Sequence, residues 1–339
     1  GALPVVNKSA VNMAIKAGLA VGSAIQKRSV FARKNYFYPD LSKGYQISQY
    51  EYPLCLGGQL EIKLDGATKQ ISIIRIHMEE DAGKLLHDYG HPDSSHVDFN
   101  RCGVPLIEIV SAPDMRSPKE AGEYLRTLRN VLVYLDICDG DLEKGNFRCD
   151  ANVSVRKIGA KELGTRTEMK NLNSFKAVEH ALEYEAKRQI EVIEAGGKIN
   201  QETRQWNDIE GKTFSMRSKE ESHDYRYFPD PDLLPLIVDE PWILEIKKSL
   251  PELARERANR FISEYGITEY DANILTDDKK LADYFEAVVK DGAPAKKSAN
   301  WIISELLCEL KNSEKEIGSC PLKPTTLSKL IKLIENGTI

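Results

Sequence analysis

The chain has 339 residues, of which 41% are hydrophobic, 29% charged and 8% aromatic. That length predicts about two domains with real cores, and the apolar fraction excludes general disorder. Against 52 Asp and Glu stand 47 Lys and Arg, a net charge of −5, which excludes indiscriminate coating of nucleic acid but allows a local basic groove.

In chain order, the first distinctive stretch runs from Arg33 through Lys34, Tyr36, Phe37 and Tyr38 to Lys43 and Tyr45. Basic and aromatic groups interleave there, and again from Asp224 through Tyr225, Arg226 and Tyr227 to Phe228. Such interleaving suits stacking on single-stranded nucleotides, and it also suits half-buried strand packing. Leu60, Ile62 and Leu64 alternate with polar residues, Asp65-Gly66 supplies a tight turn, and Ile71 to Ile76 resumes as the second strand of a hairpin. Continued alternation places Glu80 with Ile74, Ile76 and Met78, and places Glu79 with Arg75 and His77 on a surface. Val104 to Val110 reads as a strand apolar on both faces, with Glu108 set among apolar neighbours.

Ser117-Pro118-Lys119-Glu120 is a capping box with proline at the first helical position. Ala121, Leu125, Leu128, Leu132 and Leu135 then recur at helical spacing. Asp150 to Arg156 alternates strictly, with Asp150, Asn152, Ser154 and Arg156 on one face; between Gly164 and Asn173, Arg166, Glu168 and Lys170 share a face. A second long helix is predicted from about Ser174 to Gly196-Gly197. From about Leu250 strand signals cease, and short amphipathic helices follow, broken at 291–294 and 318–324. The fold class is α+β with a mainly antiparallel sheet over residues 1–248, followed by a small all-α domain over 249–339.

No run approaches ~18 uninterrupted apolar residues, so no membrane span is predicted. Gly1-Ala2-Leu3-Pro4 carries neither a basic n-region nor a long apolar stretch, so no secretory signal is read there. The cysteines Cys55, Cys102, Cys138, Cys149, Cys308 and Cys320 form no CxxC pair and complete no zinc spacing with histidine. They read as reduced cytosolic thiols.

If the chain handles a nucleotide, it must do so with carboxylates, a metal and scattered basic groups. There is no GxxxxGK[ST] loop, no strand–GxGxxG–helix unit, no GxSxG elbow and no HExxH. A carboxylate unpaired among apolar neighbours is costly, so Glu108 is expected to be metal-bound, ion-paired or protonated. The three acids Glu79, Glu80 and Asp81 at the strand end read equally as a solvated turn; otherwise Glu80, at the end of an apolar face, would suit Mg²⁺ together with Glu108, since that ion takes one or two carboxylates and binds substrate phosphates. If the Asp150/Asn152 and Glu168/Lys170 segments pair antiparallel, they form a polar floor with Arg156, Arg166 and Lys170. That floor reads either as a phosphate site or as a solvated face with cross-strand ion pairs.

Several motifs together carry a family resemblance: RKNYFYPDLSKGYQISQYE, HMEEDAGK, NRCGVPLIEIVSAPDMRSP, RCDANVSVR, GTRTEMKNLNSF, QETR and DYRYFPDPDLLP. In this order they resemble the B subunit of the aspartyl/glutamyl-tRNA amidotransferase along the whole chain. The resemblance implies an enzyme that uses ATP and Mg²⁺ to phosphorylate the side-chain carboxylate of Glu-tRNA(Gln) or Asp-tRNA(Asn). Ammonia from a glutamine-hydrolysing amidase subunit then displaces the phosphate, within a heterotrimer completed by a small C subunit. It also implies a cradle like the glutamine synthetase catalytic fold and a helical domain that contacts tRNA.

By the same match Glu80 and Glu108 are metal ligands, and Lys34 and Lys43 lie on the ammonia route. Arg148, Asp150, Asn152, Arg166, Glu168 and Lys170 belong to the ATP and acyl-phosphate pocket. The family's N-terminal Glu and His metal ligands and most of its tail domain have no counterpart here, so weak metal binding, an unpaired sheet edge and impaired catalysis are expected of this stretch alone. The location implied is the bacterial cytoplasm or an organellar matrix. Two other readings stay open: a non-catalytic tRNA-binding scaffold of the same complex, and a ligase acting on a free amino acid.

Overall fold

The computed structural model describes residues 3–86, 95–216 and 225–339. The chain divides into two compact units: residues 1–129 with 138–250, and residues 130–137 with 251–339. No helix among the described residues is long and apolar enough to cross a membrane.

The first unit is built on an antiparallel sheet around one long strand, Ala67–Glu80. Its hairpin partner is Gln59–Leu64, with Leu64 opposite Ala67. Asp65 and Gly66 between them adopt φ of 50° and 78°, the paired positive values that a two-residue hairpin turn needs. Leu60, Ile62, Ile71 and Ile73 point into the core.

On its other side the long strand pairs with Pro105–Ser111, and there it carries an extra residue: Arg75 faces Val110 while Ile73 faces Ser111. This bulge turns Ile74 outward to 49% exposure, although the sequence pattern groups it with Ile76 and Met78. Helix Lys8–Ala20 buries Val11, Ala14, Ile15 and Ala17. Gly18 is required in that helix, since a Cβ there would meet Cys55 Sγ at 2.6 Å.

Helix Pro118–Tyr134 buries the predicted Leu125, Leu128 and Leu132. Its cap differs from a reciprocal box. Ser117 Oγ accepts the Glu120 N–H at 3.2 Å, but the Glu120 carboxylate takes the Arg116 N–H at 2.6 Å.

A second sheet orders Ala151–Val153, Thr167–Lys170, Thr203–Asn207 and Lys212–Ser215. Its middle pair is parallel, because helix Phe175–Glu194 carries the chain back across the sheet, as a parallel connection requires. Ser174 caps that helix by accepting the Ala177 N–H at 3.0 Å, and Gly196 follows its end with φ 80°. A three-stranded antiparallel sheet joins Phe228–Pro229, Ala32–Asn35 and Tyr45–Ser48. The first unit is thus mixed α and β with mainly antiparallel pairing.

The second unit is helical. Ala254–Tyr265, Glu269–Asp277, Lys279–Lys290 and Pro324–Glu335 surround a core that includes Phe261, Leu275, Phe285, Val288, Ile302 and Ile331. Residues 130–137 belong to it through specific bonds. Tyr134 Oη donates to the Thr276 carbonyl at 2.8 Å, Asn130 Nδ2 to the Asp277 carbonyl at 2.7 Å, and Lys279 Nζ to Asp136 Oδ2 at 2.7 Å.

Candidate active site

The C-terminal half of the long strand brings several titratable side chains together. In its ladder with Pro105–Ser111, Glu108 lies opposite His77, Leu106 opposite Glu79 and Pro105 opposite Glu80. Residues directly opposite share a face, and faces alternate along each strand. His77, Glu79 and Glu108 therefore share one face, and one ligand atom from each lies within 4.8 Å of the others. Glu80 points to the other face.

In this ladder Glu79, and not the expected Glu80, is the carboxylate that shares a face with Glu108. Strand parity alone could not reveal this, because it fixes neither the cross-strand register nor what covers each face. Glu108 itself is exposed, so the burial penalty expected for it does not arise. The buried carboxylate is Glu79.

Strand Tyr45–Ser48 covers the Glu79 side. Ser48 Oγ donates to Glu79 Oε1 at 2.6 Å, Gln46 Nε2 donates to Oε2 at 3.2 Å, and His77 Nε2 lies 3.4 Å from Oε1. Burial pushes the Glu79 carboxyl up. The hydrogen bond from His77, the charge of Lys34 and the Ser48 hydroxyl outweigh that effect and hold it below the ordinary carboxylate value. His77 is 3% exposed, and its Nδ1 has no hydrogen-bond partner among the described residues. The His77 imidazole and the two carboxylates, with one ligand atom from each within 4.8 Å of the others, form a donor set that fits a divalent cation, the carboxylate oxygens being suited to Mg²⁺.

Glu80 is occupied differently. Its Oε1 accepts the Ile47 N–H at 2.8 Å and forms an ion pair with Lys43. Lys43 Nζ also sits 4.9 Å from the centre of the Tyr45 ring, and Lys34 Nζ sits 4.9 Å from that of Tyr225. The interleaved aromatic and basic residues largely contact one another. Tyr227 stacks on Tyr50 at 4.3 Å, and Arg33 lies over Tyr45 while donating to Asp230 and Asp232, each at 2.9 Å. Of the two readings of this interleaving, these contacts are those of strand packing. Asp224 lies outside the described residues.

The remaining residues form two groups. Arg148 donates to the buried Asp81 at 2.9 Å, and Arg101 joins it there. In the second sheet the pairing is antiparallel, with Asn152 opposite Glu168. Asp150 Oδ2 accepts from Lys170 Nζ at 2.6 Å, and Glu168 Oε1 lies 3.3 Å from the same nitrogen. Burial pulls the Lys170 amine down, but Asp150 and Glu168 outweigh this and raise it. Arg166 is exposed just before its strand and has no hydrogen bond or ion pair among the described residues. Arg148 and Asp150, two positions apart, join these groups along the chain.

Under that floor lies a carboxylate the sequence reading missed. Glu185, 0% exposed, receives Arg188 on both oxygens, Thr167 at 2.9 Å and Thr213 at 3.0 Å, with Arg204 Nε at 3.3 Å. Gln189 adds a bond to the Val153 carbonyl at 3.2 Å, so one helix face is bonded to all four strands. In sequence, Glu185 and Arg188 look like a surface pair at i,i+3; the useful signal was QETR. Within it, Glu202 Oε1 accepts from Arg204 at 2.7 Å, and Thr203 Oγ1 donates to Glu168 Oε2 at 2.9 Å.

Comparison with known proteins identifies the family. The GatB/GatE catalytic domain matches residues 1–244, and the GatB domain matches residues 283–339. A protein of Thermodesulfovibrio yellowstonii, named as the B subunit of an aspartyl/glutamyl-tRNA(Asn/Gln) amidotransferase, is 59% identical over 340 residues, covering 100% of this chain and 71% of its own. Proteins of the same name from Geobacter sulfurreducens and Chlorobaculum tepidum are each 56% identical, with the same coverage. The chain belongs to the GatB family, the B subunits of the tRNA-dependent amidotransferase.

Proposed function

We propose that this chain activates the side-chain carboxylate of Glu-tRNA(Gln) or Asp-tRNA(Asn) with ATP, in a cradle of the glutamine synthetase type. The observation that carries the reading is the convergence of His77, Glu79 and Glu108, with one ligand atom of each within 4.8 Å of the others. Those residues would hold Mg²⁺, which when bound neutralises phosphate charge and orients the phosphates. Lys170, held charged between Asp150 and Glu168, would bind phosphate oxygens, joined by Arg148 and by the free fork of Arg166. Asn152, opposite Glu168, would add a neutral hydrogen-bonding group.

In the first step a carboxylate oxygen attacks the γ-phosphorus. The new P–O bond forms as the bond to ADP breaks, and ADP leaves with the electron pair. In the second, ammonia attacks the acyl carbon, phosphate leaves with the C–O pair, and a proton is lost from nitrogen. Such chemistry asks the protein mainly for positioning and charge. Lys34 and Lys43, with Glu80 as ion-pair partner, would line the approach of ammonia from an amidase subunit; a small C subunit completes the complex. The helical domain, residues 249–339, would contact the tRNA, whose single-stranded acceptor end suits recognition in a deep cradle.

ATP turnover by the full-length complex tests the assignment. It is expected to rise with Glu-tRNA(Gln) or Asp-tRNA(Asn), and not with uncharged tRNA or free glutamate. A rise with free glutamate alone would favour a free-amino-acid ligase. No turnover under any of these conditions would leave a tRNA-binding scaffold.

A further inference from the structure

Asp81 faces more positive charge than it can neutralise. Its side chain is 11% exposed and meets both Arg101 and Arg148 on a single oxygen. Oδ2 lies 2.8 Å from Arg101 Nε and accepts from Arg148 Nη2 at 2.9 Å. Two guanidinium groups thus meet one carboxylate, and one positive charge is left over.

The contact with Arg101 is close but poorly aligned. Its buried Nε–H does not point along Oδ2, and among the described residues it has no hydrogen-bond acceptor. Buried donors normally find an acceptor, so an oxygen supplied from outside the chain would complete this one.

The backbone keeps the corner open. Gly145, at φ +73°, leaves space where a Cβ would come within 3.0 Å of Arg101 Nη1. Arg148 is two positions from Asp150, whose carboxylate holds Lys170 at 2.6 Å.

We propose that Arg101, together with Arg148, binds a phosphoryl group: the terminal phosphate of the nucleotide, or the phosphate it becomes after transfer. This rests on the ATP-dependent reading above. Guanidinium forks match pairs of phosphate oxygens, and two of them side by side suit a group bearing about two negative charges. Asp81 is then a positioning residue that holds both forks in place.

The test uses the full-length chain assembled with its partner subunits, either unmutated or carrying Arg101→Gln or Arg101→Lys. ADP, the imido analogue of ATP and inorganic phosphate are titrated onto each, and thermal melting reports folding. Arg101→Gln is expected to weaken the imido analogue about tenfold or more while leaving ADP within about twofold. Arg101→Lys should fall between, since it keeps the charge and loses the fork.

Inorganic phosphate weakened by a similar factor supports a site that holds phosphate both before and after transfer. Unchanged inorganic phosphate alongside a weakened imido analogue supports a site for the nucleotide's terminal group alone. Unchanged binding of both by a folded Arg101→Gln complex overturns the proposal and leaves Arg101 as a structural partner of Asp81. Should Arg101→Gln melt early, Arg101→Lys is judged by the same comparison. An unmutated complex that bound no nucleotide would bring down the ATP-dependent reading, and this proposal with it.

Discussion

Glu79→Gln in the full-length complex is expected to lower tRNA-stimulated ATP turnover by on the order of a hundredfold or more, and to move its Mg²⁺ dependence to higher concentration. The substitution keeps the shape and one carbonyl oxygen, so Ser48 and Gln46 retain most of their packing. What is lost is the charge of the buried carboxylate that shares a face with His77 and Glu108. A complex with unchanged turnover and an unchanged Mg²⁺ titration would remove Glu79 from the site. Glu80→Gln provides the contrast. Its carboxylate is engaged with Lys43 and the Ile47 N–H, so its loss should alter coupling to ammonia more than Mg²⁺ dependence.

Glu185→Gln is expected to destabilise the first unit by about 3 kcal/mol, because it removes the fully buried carboxylate between Arg188 and Arg204 and leaves Glu202 as their remaining acidic partner. For a unit of this size that corresponds to a fall in melting temperature of roughly 6–12 °C. A double variant with Arg204→Met should lose less than the two single losses added together, since each single change strands the other partner. Additive losses would show that the two side chains do not act as a unit.

The same carboxylate gives a pH dependence of definite sign. Burial raises it, but hydrogen bonds from Arg188, Thr167 and Gln189 and the charge of Arg188 hold it below the ordinary value. Its contribution is therefore fully present above the unfolded pKa of about 4.3, and it is lost as pH falls through the lowered folded value. Glu185→Gln should remove that part of the acid sensitivity, which melting curves at neutral and acid pH can measure.

Local chemistry was legible where one short segment decides the outcome. Asp65-Gly66 specified its own turn, Ser174 its cap, and the Leu125/Leu128/Leu132 stripe its buried face. The polar floor was legible too, because two alternating segments needed only antiparallel pairing to bring Asp150 to Lys170. Where two distant segments had to be placed in register, the sequence was silent. Glu108 shares a face with His77 and Glu79 because residue 108 pairs with 77, and nothing in either segment encodes that number.

Burial of charge was read in the wrong place for a related reason. Glu79 looked like a surface partner of Arg75 and His77, yet strand Tyr45–Ser48 covers it with matched donors. Glu108 looked buried among apolar neighbours, yet it is exposed. Glu185 was missed because a glutamate three positions before an arginine on a helix is ordinarily a solvated pair. Only the strands beneath it, with Thr167, Arg204 and Thr213, make it a buried hub.

The most direct measurement follows an oxygen atom. Glu-tRNA(Gln), or Asp-tRNA(Asn) for the aspartyl activity, is prepared with oxygen-18 in the side-chain carboxylate and converted by the full-length complex with ATP, Mg²⁺ and glutamine. The phosphate released is then analysed by mass. Phosphorylation of the carboxylate followed by attack of ammonia on carbon carries one labelled oxygen into phosphate for each amide formed. Amide formation with unlabelled phosphate would mean that the carboxylate never bonded to phosphorus, and would contradict the account.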